Sequence, residues 1–137
     1  MCSSDLVNLS YQAVGIQSLI GEQNRRFDRT SRCTAIAGAL IALISSMADI
    51  PAAIVFGFAT GNISRMRKLD QGLIEIGHPA DFVFMDKAQH SAGADMLSSI
   101  ELGDIPGIGM VMIDGLVKAQ RSRNTPPADR VPVILPS

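Results

Sequence analysis

The sequence predicts an α/β chain, or an α+β module if it is taken as an isolated piece, and three observations support this class. Residues 33–48 and 50–64 carry no charge and are long enough for helices. Short apolar segments bounded by Gly, Pro and Asp follow them, which is typical of strands. The 137 residues are 47% hydrophobic and 18% charged, as in one globular domain. The net charge of −1 provides no field that would attract nucleic acid.

Two helices are predicted in the uncharged half. The first covers residues 34–46 and is apolar on nearly every side, so it should be buried all round. The second starts with Asp49 as its cap and Pro51 in its first turn, and it stops at Gly61. A membrane span needs about 20 apolar residues. The first run is shorter and is followed directly by Asp49, so a helical hairpin is favoured over a span and no membrane partner is expected.

The first predicted hairpin follows these helices. A strand over residues 72–76 and a strand over residues 81–85 are separated by a tight turn at residues 77–79. Asp86 ends the second strand. A helix over residues 90–102, ended by a glycine, comes next.

A second hairpin and a tail complete the chain. Residues 111–113 form a strand, and Asp114 with Gly115 favours a two-residue turn into a strand over residues 116–118. The tail from Ser122 contains four prolines. It is predicted to be an extended arm that lies on a surface.

The spacing of glycine and aspartate in this half follows a known pattern. Residues 72–86 read G-x-I-x-x-G-x-x-A-D-x-V-x-x-D, and residues 111–115 read V-x-I-D-G. Residues 49–53 and the A-T-G-N run at residues 59–62 precede them. Together these segments resemble the C-terminal end of the amidohydrolase superfamily, whose members are metal-dependent hydrolases built on a (β/α)8 barrel.

Residues 103–108 and 121–128 narrow the resemblance to bacterial enamidase-like cyclic amidohydrolases. Three positions depart from the family pattern. Ile76 and His78 stand where the family usually has Pro and Lys, and Pro79 often corresponds to an acidic residue.

The resemblance implies a fold, a division into parts and an activity. Residues 1–65 would be a remnant of the last strand and closing helices of the barrel. Residues 66–121 would be strands of the small C-terminal β-sandwich with one short helix, and residues 122–137 an extended Pro-rich tail. The full-length family would use zinc or another divalent metal to hydrolyse a C–N bond of a cyclic amide or enamide.

The metal ligands of the family are not evident in this sequence. The family uses a His-x-His pair, two further histidines and an aspartate on the eighth barrel strand, whereas this chain has two histidines, His78 and His90, and no such pair. A (β/α)8 barrel also typically needs about 250 residues. We therefore expect the isolated chain to hold no metal or cofactor and to be inactive. The candidates for the eighth-strand position are Asp28, Gln23 and Glu22, and Asp28 among arginines is more simply an exposed carboxylate.

Two hypotheses on function remain open at this point. The chain is either the C-terminal portion of an amidohydrolase, inactive alone, or a non-catalytic module that forms oligomers or pairs with a separate chain supplying the barrel. The apolar first helix favours a homo-oligomer or a barrel-supplying chain as partner. Cys2 and Cys33 form neither metal-ligand spacing nor a disulfide framework, and no signal-peptide pattern is present, so a cytoplasmic location is expected.

Overall fold

The computed structural model describes residues 12–14, 27–70 and 72–135. These residues form helices and a four-stranded sheet. In chain order the elements are β1 (Gln12–Val14), α1 (Phe27–Ala48), α2 (Ala52–Ala59), α3 (Gly61–Arg67), β2 (Phe82–Asp86), α4 (Met96–Glu101), β3 (Gly107–Ile113) and β4 (Leu116–Ala119). The strands lie in the order β1-β2-β3-β4, and all neighbouring pairs are antiparallel.

Both helices predicted in the uncharged half are present, but their bounds differ from the prediction. α1 begins earlier, at Phe27. Asp49 has a positive φ of 54°, so it terminates α1 and does not cap α2. A capping residue needs extended backbone, which Pro51 provides with φ −51° and ψ 131°. Because Pro51 offers no side-chain acceptor, the N–H of Ala52 donates instead to Glu101 Oε1 of α4, at 3.0 Å.

The glycine that was predicted to end the second helix has a different role. Thr60, with φ −125° and ψ −106°, separates α2 from α3, and Gly61 is the first residue of α3. A Cβ at Gly61 would lie 2.7 Å from Leu73 Cδ2. The missing side chain therefore lets the segment after α3 pack closely against the start of this helix.

The second hairpin is confirmed. β3 begins earlier than predicted, and Ile113 pairs with Leu116 across a two-residue turn. Asp114 and Gly115 have φ values of 52° and 73°, as a type I′ turn requires. Asp81 Oδ1 accepts a hydrogen bond from Asp114 N at 2.6 Å, which joins the turn to the start of β2.

The prediction of a strand over residues 72–76 is wrong. These residues form an irregular loop in which the Ile76 side chain is fully exposed, at 106%. Gly72 and Gly77 have φ values of 77° and 92°, which turn the backbone. The sheet also offers no position beside β2, because β1 and β3 already pair with its two edges.

Of the helix predicted over residues 90–102, only residues 96–101 are helical, and they form α4. Asp95 and Ser98 form a capping box, in which Asp95 Oδ1 accepts from Ser98 N at 2.8 Å and Ser98 Oγ accepts from Asp95 N at 3.0 Å. His90 has a φ of 71° and lies in a turn before the helix. Gly103, with φ 92°, ends the helix as predicted.

The hydrophobic core lies between the helices and the sheet. α1, α2 and α4 contact one another, and α1 also contacts β4. The largest contributions come from Ile41, Val55, Phe56, Val83, Met85, Met96, Ile100, Ile108 and Val111. None of the described helices combines the length and the apolar character that a membrane crossing requires.

Replacing Gly115 with Ala should destabilise the protein by about 1 kcal/mol, because a residue with a Cβ is strained at positive φ. Steric contact adds nothing to this cost, since the nearest atom to the new Cβ would be Ala80 Cβ at 3.9 Å. The free energy of unfolding from urea denaturation measures the effect. Asp114→Asn is the control and should change it by less than about 0.5 kcal/mol, because Asn tolerates the left-handed region. Equal losses in both variants would contradict the type I′ assignment.

Candidate functional site

Of the three candidates for the eighth-strand metal ligand, the structure describes the backbone of one. Glu22 and Gln23 lie outside the described residues. Asp28 is the second residue of α1. Its role as a metal ligand stays a prediction.

The two histidines lie in different loops. His78 precedes β2, with Nε2 3.7 Å from Glu75 Oε2 and with Nδ1 buried without a hydrogen-bond partner. His90 is exposed in the turn before α4. Within residues 12–14, 27–70 and 72–135, no three His, Cys, Asp or Glu side chains cluster as a metal ion needs. The described residues therefore do not provide a ligand set that fits a divalent metal.

A hydroxyl network surrounds Ser91 in the segment before α4. Ser91 Oγ lies 2.6 Å from Asp104 Oδ2 and 2.8 Å from Ser99 Oγ, and it accepts from Gly93 N at 3.1 Å. Ser99 Oγ also donates to the backbone carbonyl of Asp95 at 2.7 Å. A serine nucleophile needs a base within hydrogen-bond reach that is itself oriented by a third group. These contacts tie Ser99 of α4 and Asp104, which follows the helix, to the turn before it, so we interpret the network as structural.

Helix α1 exposes a continuous apolar stripe. Five side chains that are 43–77% exposed form this α1 stripe: Ile36, Leu40, Leu43, Ile44 and Met47. At 3.6 residues per turn they fall within a sector of about 100°. The buried Ile41, Ala42 and Ser45 occupy the opposite side of the helix. No charge lies within residues 33–48, so electrostatic repulsion does not oppose association at this surface.

A buried carboxylate forms a second site at the end of β2. Asp86 is 2% exposed and binds Arg130 of the C-terminal arm, by which we mean residues 122–135. Arg130 Nε donates to Asp86 Oδ2 at 2.6 Å and Arg130 Nη2 donates to Oδ1 at 3.0 Å. The backbone N–H groups of Arg130 and Lys87 donate to the same carboxylate at 3.1 and 2.9 Å. Arginine suits this site because its planar fork pairs with both carboxylate oxygens.

The environment of Asp86 keeps its carboxyl group ionised. Burial alone would raise the pKa of Asp86. The hydrogen bonds from Arg130 and Lys87, together with the guanidinium charge, outweigh burial and hold the pKa below its ordinary value of 3.8. The ion pair is therefore present throughout the neutral pH range.

Backbone pairing extends the contact between the arm and the end of β2. The two hydrogen bonds, each 2.9 Å long, run from Gln89 N–H to Pro127 O and from Asp129 N–H to Lys87 O. Between them, Ala88 and Ala128 lie opposite each other in an antiparallel bridge. The arm thus adds a short strand-like segment to residues 87–89.

Two glycines of β3 make room for the arm. A Cβ at Gly107 would overlap the backbone of Ala128, and a Cβ at Gly109 would lie 2.9 Å from Pro132 Cδ. Residues 107 and 109 are two apart, so both point to the same face of the strand. We call the surface formed by residues 86–89, Gly107 and Gly109 the arm groove.

Sequence reasoning did not identify the pairing of Asp86 with Arg130. In the sequence, Asp86 ends an apolar strand and is the last aspartate of the pattern over residues 72–86, and neither feature indicates a partner for it. Arg130 lies 44 residues further on, in a segment without helical or strand periodicity. A weak signal was available in the glycines of β3, since an isolated glycine in a strand indicates close backbone approach.

Known proteins resemble the chain in both sequence and structure. No family model matches it. Enamidase from Eubacterium barkeri is 44% identical over 92 residues, which are 67% of this chain and 24% of that protein. A crystal structure of enamidase, described as a new member of the amidohydrolase superfamily, matches 69% of this chain and 25% of its own, with a TM-score of 0.66 and 40% identity.

The chain is a homologue of part of enamidase. It spans about a quarter of the length of the enamidase chains that it matches. The resemblance to the amidohydrolase superfamily that the sequence motifs indicated is therefore confirmed. The mixed helices and antiparallel sheet of this enamidase homologue correspond to part of a structure of that superfamily.

Arg130→Ala should lower the free energy of unfolding by about 1–3 kcal/mol, because it leaves a buried carboxylate without its cation. The low end of that range is expected, since the Arg130 side chain is 50% exposed and solvent screens the pair. Urea denaturation measures the change. Arg123→Ala, which removes another exposed arginine of the arm, is the control and should have little effect.

The same variant should alter the dependence of stability on pH. The pKa of Asp86 is lower in the folded than in the unfolded chain, so its stabilising contribution is present above the ordinary value of 3.8 and is lost as the pH falls through the folded pKa. Without Arg130 the pKa of Asp86 should rise, and the acid-induced loss should begin at a higher pH. Denaturation curves between about pH 3 and pH 7 measure this shift. Superimposable pH profiles of the variant and the parent would contradict the ion pair.

Proposed function

We propose that the chain is the C-terminal portion of a metal-dependent amidohydrolase that hydrolyses a C–N bond of a small cyclic amide or enamide. The observation that carries this proposal is the 44% identity with enamidase over 92 residues. In this proposal α1, α2 and α3 are closing helices of a (β/α)8 barrel, and β2, β3 and β4 are strands of the small β-sandwich. A cytoplasmic location is part of the same proposal, since the sequence lacks a disulfide framework.

The proposed contribution of this chain to hydrolysis is structural. In metal-dependent hydrolases the bound ion lowers the pKa of a water molecule and polarises the scissile carbonyl. This sequence contains no His-x-His pair, so we assign the zinc or other divalent ion, and the contacts to substrate, to barrel residues that this chain does not supply. The packed helices and sheet would support that barrel, and alone they would be inactive.

A second candidate function is favoured by the α1 stripe. The chain would then be a non-catalytic module that forms homo-oligomers or pairs with a barrel-supplying chain. Covering one half-exposed Leu, Ile or Met side chain is worth about 1 kcal/mol, so the stripe offers about 5 kcal/mol per copy. Association itself costs about 4–15 kcal/mol. Two stripes facing each other would therefore form only a weak dimer, whereas a barrel surface that also covers Ile54 and Phe58 of α2, which are 52% and 50% exposed, would bind more tightly.

A chimera tests the proposed function. This chain should replace the homologous C-terminal part of Eubacterium barkeri enamidase with at least about a tenth of the parent value of kcat/KM retained, because the barrel ligands stay in place. The isolated chain, assayed with and without zinc on the same cyclic amides and enamides, should give no turnover above the blank. A folded but inactive chimera would contradict the proposal, and so would turnover by the isolated chain, which would require a site within its own residues.

The α1 stripe should drive association of the purified chain. Sedimentation velocity over about 1–100 µM covers the range expected for a weak dimer and should reveal an increase in mass with concentration. Leu40→Lys combined with Leu43→Lys should abolish the increase, because it places two charges in the centre of the stripe. Ile76→Lys changes an equally apolar and fully exposed side chain outside the stripe and should leave the association unchanged. A monomer at all concentrations, or equal effects of the two charge variants, would argue against the stripe as an interface.

A further inference from the structure

The β2–α4 connection, by which we mean residues 87–95, contacts both the C-terminal arm and α4. On the arm side, the N–H of Asp129 donates to the carbonyl of Lys87 at 2.9 Å. Asp86, which directly precedes the connection, binds the guanidinium of Arg130. The docked arm therefore fixes the first residues of the connection.

The later residues of the connection pack directly against α4. A Cβ at Gly93 would overlap the backbone of Ser99, which is completely buried in α4. The N–H of Gly93 donates to Ser91 Oγ at 3.1 Å, and Ser91 Oγ lies 2.6 Å from Asp104 Oδ2 beyond the end of the helix. Because the contact at Gly93 leaves no free space, a shift of the connection would displace α4 as well.

α4 in turn holds the start of α2. Pro51 offers no side-chain acceptor there, and Glu101 Oε1 of α4 accepts from the N–H of Ala52 at 3.0 Å. Ala52 is completely buried, so loss of this acceptor would leave a buried N–H group unpaired, which is unfavourable. Val55 and Phe56 of the same helix belong to the hydrophobic core. The first turn of α2 therefore depends on the position of α4.

These contacts form a continuous path from the arm to α2. We propose that the C-terminal arm is a strap whose docking, through the β2–α4 connection and α4, controls the order of the first turn of α2. Coupling of this kind needs an element with two arrangements, which are here the docked and the released arm. Residues 120–126 contain neither helix nor strand, so release breaks the contacts of the arm groove without unfolding β4. The strap goes beyond the proposed hydrolytic function, because it requires neither metal nor substrate.

Amide hydrogen exchange of the full chain tests the strap. Arg130→Ala weakens the docking of the arm. It should raise the exchange rates of residues 87–93, of α4 and of Ala52 at least about threefold, because local opening exposes these N–H groups to solvent. NMR measures the rate at Ala52, and mass spectrometry of proteolytic peptides measures the segments. Arg130→Lys, which keeps the charge but loses the two-pronged geometry, should give the same pattern with a smaller increase, and it carries the test if Arg130→Ala does not fold.

Gly115→Ala is the matched control, since it destabilises the protein at the β3–β4 turn, outside the path from the arm to α2. The ratio of exchange at Ala52 to exchange in α1, over residues 40–44, should change by less than about twofold in this control and rise at least about threefold in Arg130→Ala. Equal ratios in the two variants would show only general destabilisation and overturn the proposal. Faster exchange of residues 87–89 with unchanged exchange at Ala52 would show release of the arm without coupling and would also overturn it.

A double-mutant cycle measures the coupling between the two ends of the path. Glu101→Ala removes the acceptor of the Ala52 N–H group. If release of the arm already loosens this contact, the increase in the unfolding equilibrium constant of Arg130→Ala/Glu101→Ala should be at least about threefold smaller than the product of the two single increases. Arg130→Ala combined with Gly115→Ala should equal its product within about twofold, as independent sites do. A cycle between Arg130 and Glu101 that is equally multiplicative would overturn the proposal.

Discussion

The burial of one side of α1 is the constraint on which the rest of the fold depends. Ile41, Ala42 and Ser45 are almost completely buried, and α1 contacts α2, α4 and β4. Small residues on this side allow the neighbouring helices to approach closely, which places the helical layer over the core side chains of β2 and β3. The larger Ile, Leu and Met side chains lie on the opposite side of the helix. α1 is therefore suited to two partners, and the described residues provide only the first of them.

The exposed apolar side of α1 is consistent with the small share of enamidase that the chain matches. The chain corresponds to about a quarter of enamidase, and one side of its longest helix exposes apolar side chains that a water-facing helix does not need. A surface of this kind favours a partner through area and shape rather than through charge. The same stripe can thus serve either hypothesis on function, since a barrel and a second copy both offer an apolar surface.

Local signals in the sequence predicted the elements that depend on local physics. The two-residue turn at Asp114 and Gly115 was predictable because positive φ values at two successive positions favour Asp-Gly. The helices were predictable from long uncharged runs, but the cap of α2 was not, because its acceptor is Glu101, 49 residues away in the chain. The prediction of a strand over residues 72–76 was wrong for a similar reason. Its alternation of Ile and Glu fits a strand, but a strand also needs a free edge, and both edges of β2 are occupied.

The candidate sites differ in how far the sequence could reveal them. The α1 stripe follows from the spacing of Ile, Leu and Met along one helix, so its apolar character was evident before the fold was known. The arm groove depends on a carboxylate, a guanidinium and two glycines from separate segments, and only the fold brings them together. The sequence resemblance to the amidohydrolase superfamily depends on neither site, because it rests on glycine and aspartate positions that define turns.

The two surfaces also differ in selectivity. An apolar stripe accepts many apolar surfaces, since burial of area has no directional requirement. The arm groove accepts a segment only if a guanidinium meets Asp86, a small residue lies over Gly107 and the backbone pairs with residues 87–89. A ligand that lacks one of these features leaves a buried carboxylate or a backbone group unpaired, which is costly. Any association through the stripe would therefore depend mainly on concentration, whereas the groove selects a segment with the features of this chain's own arm.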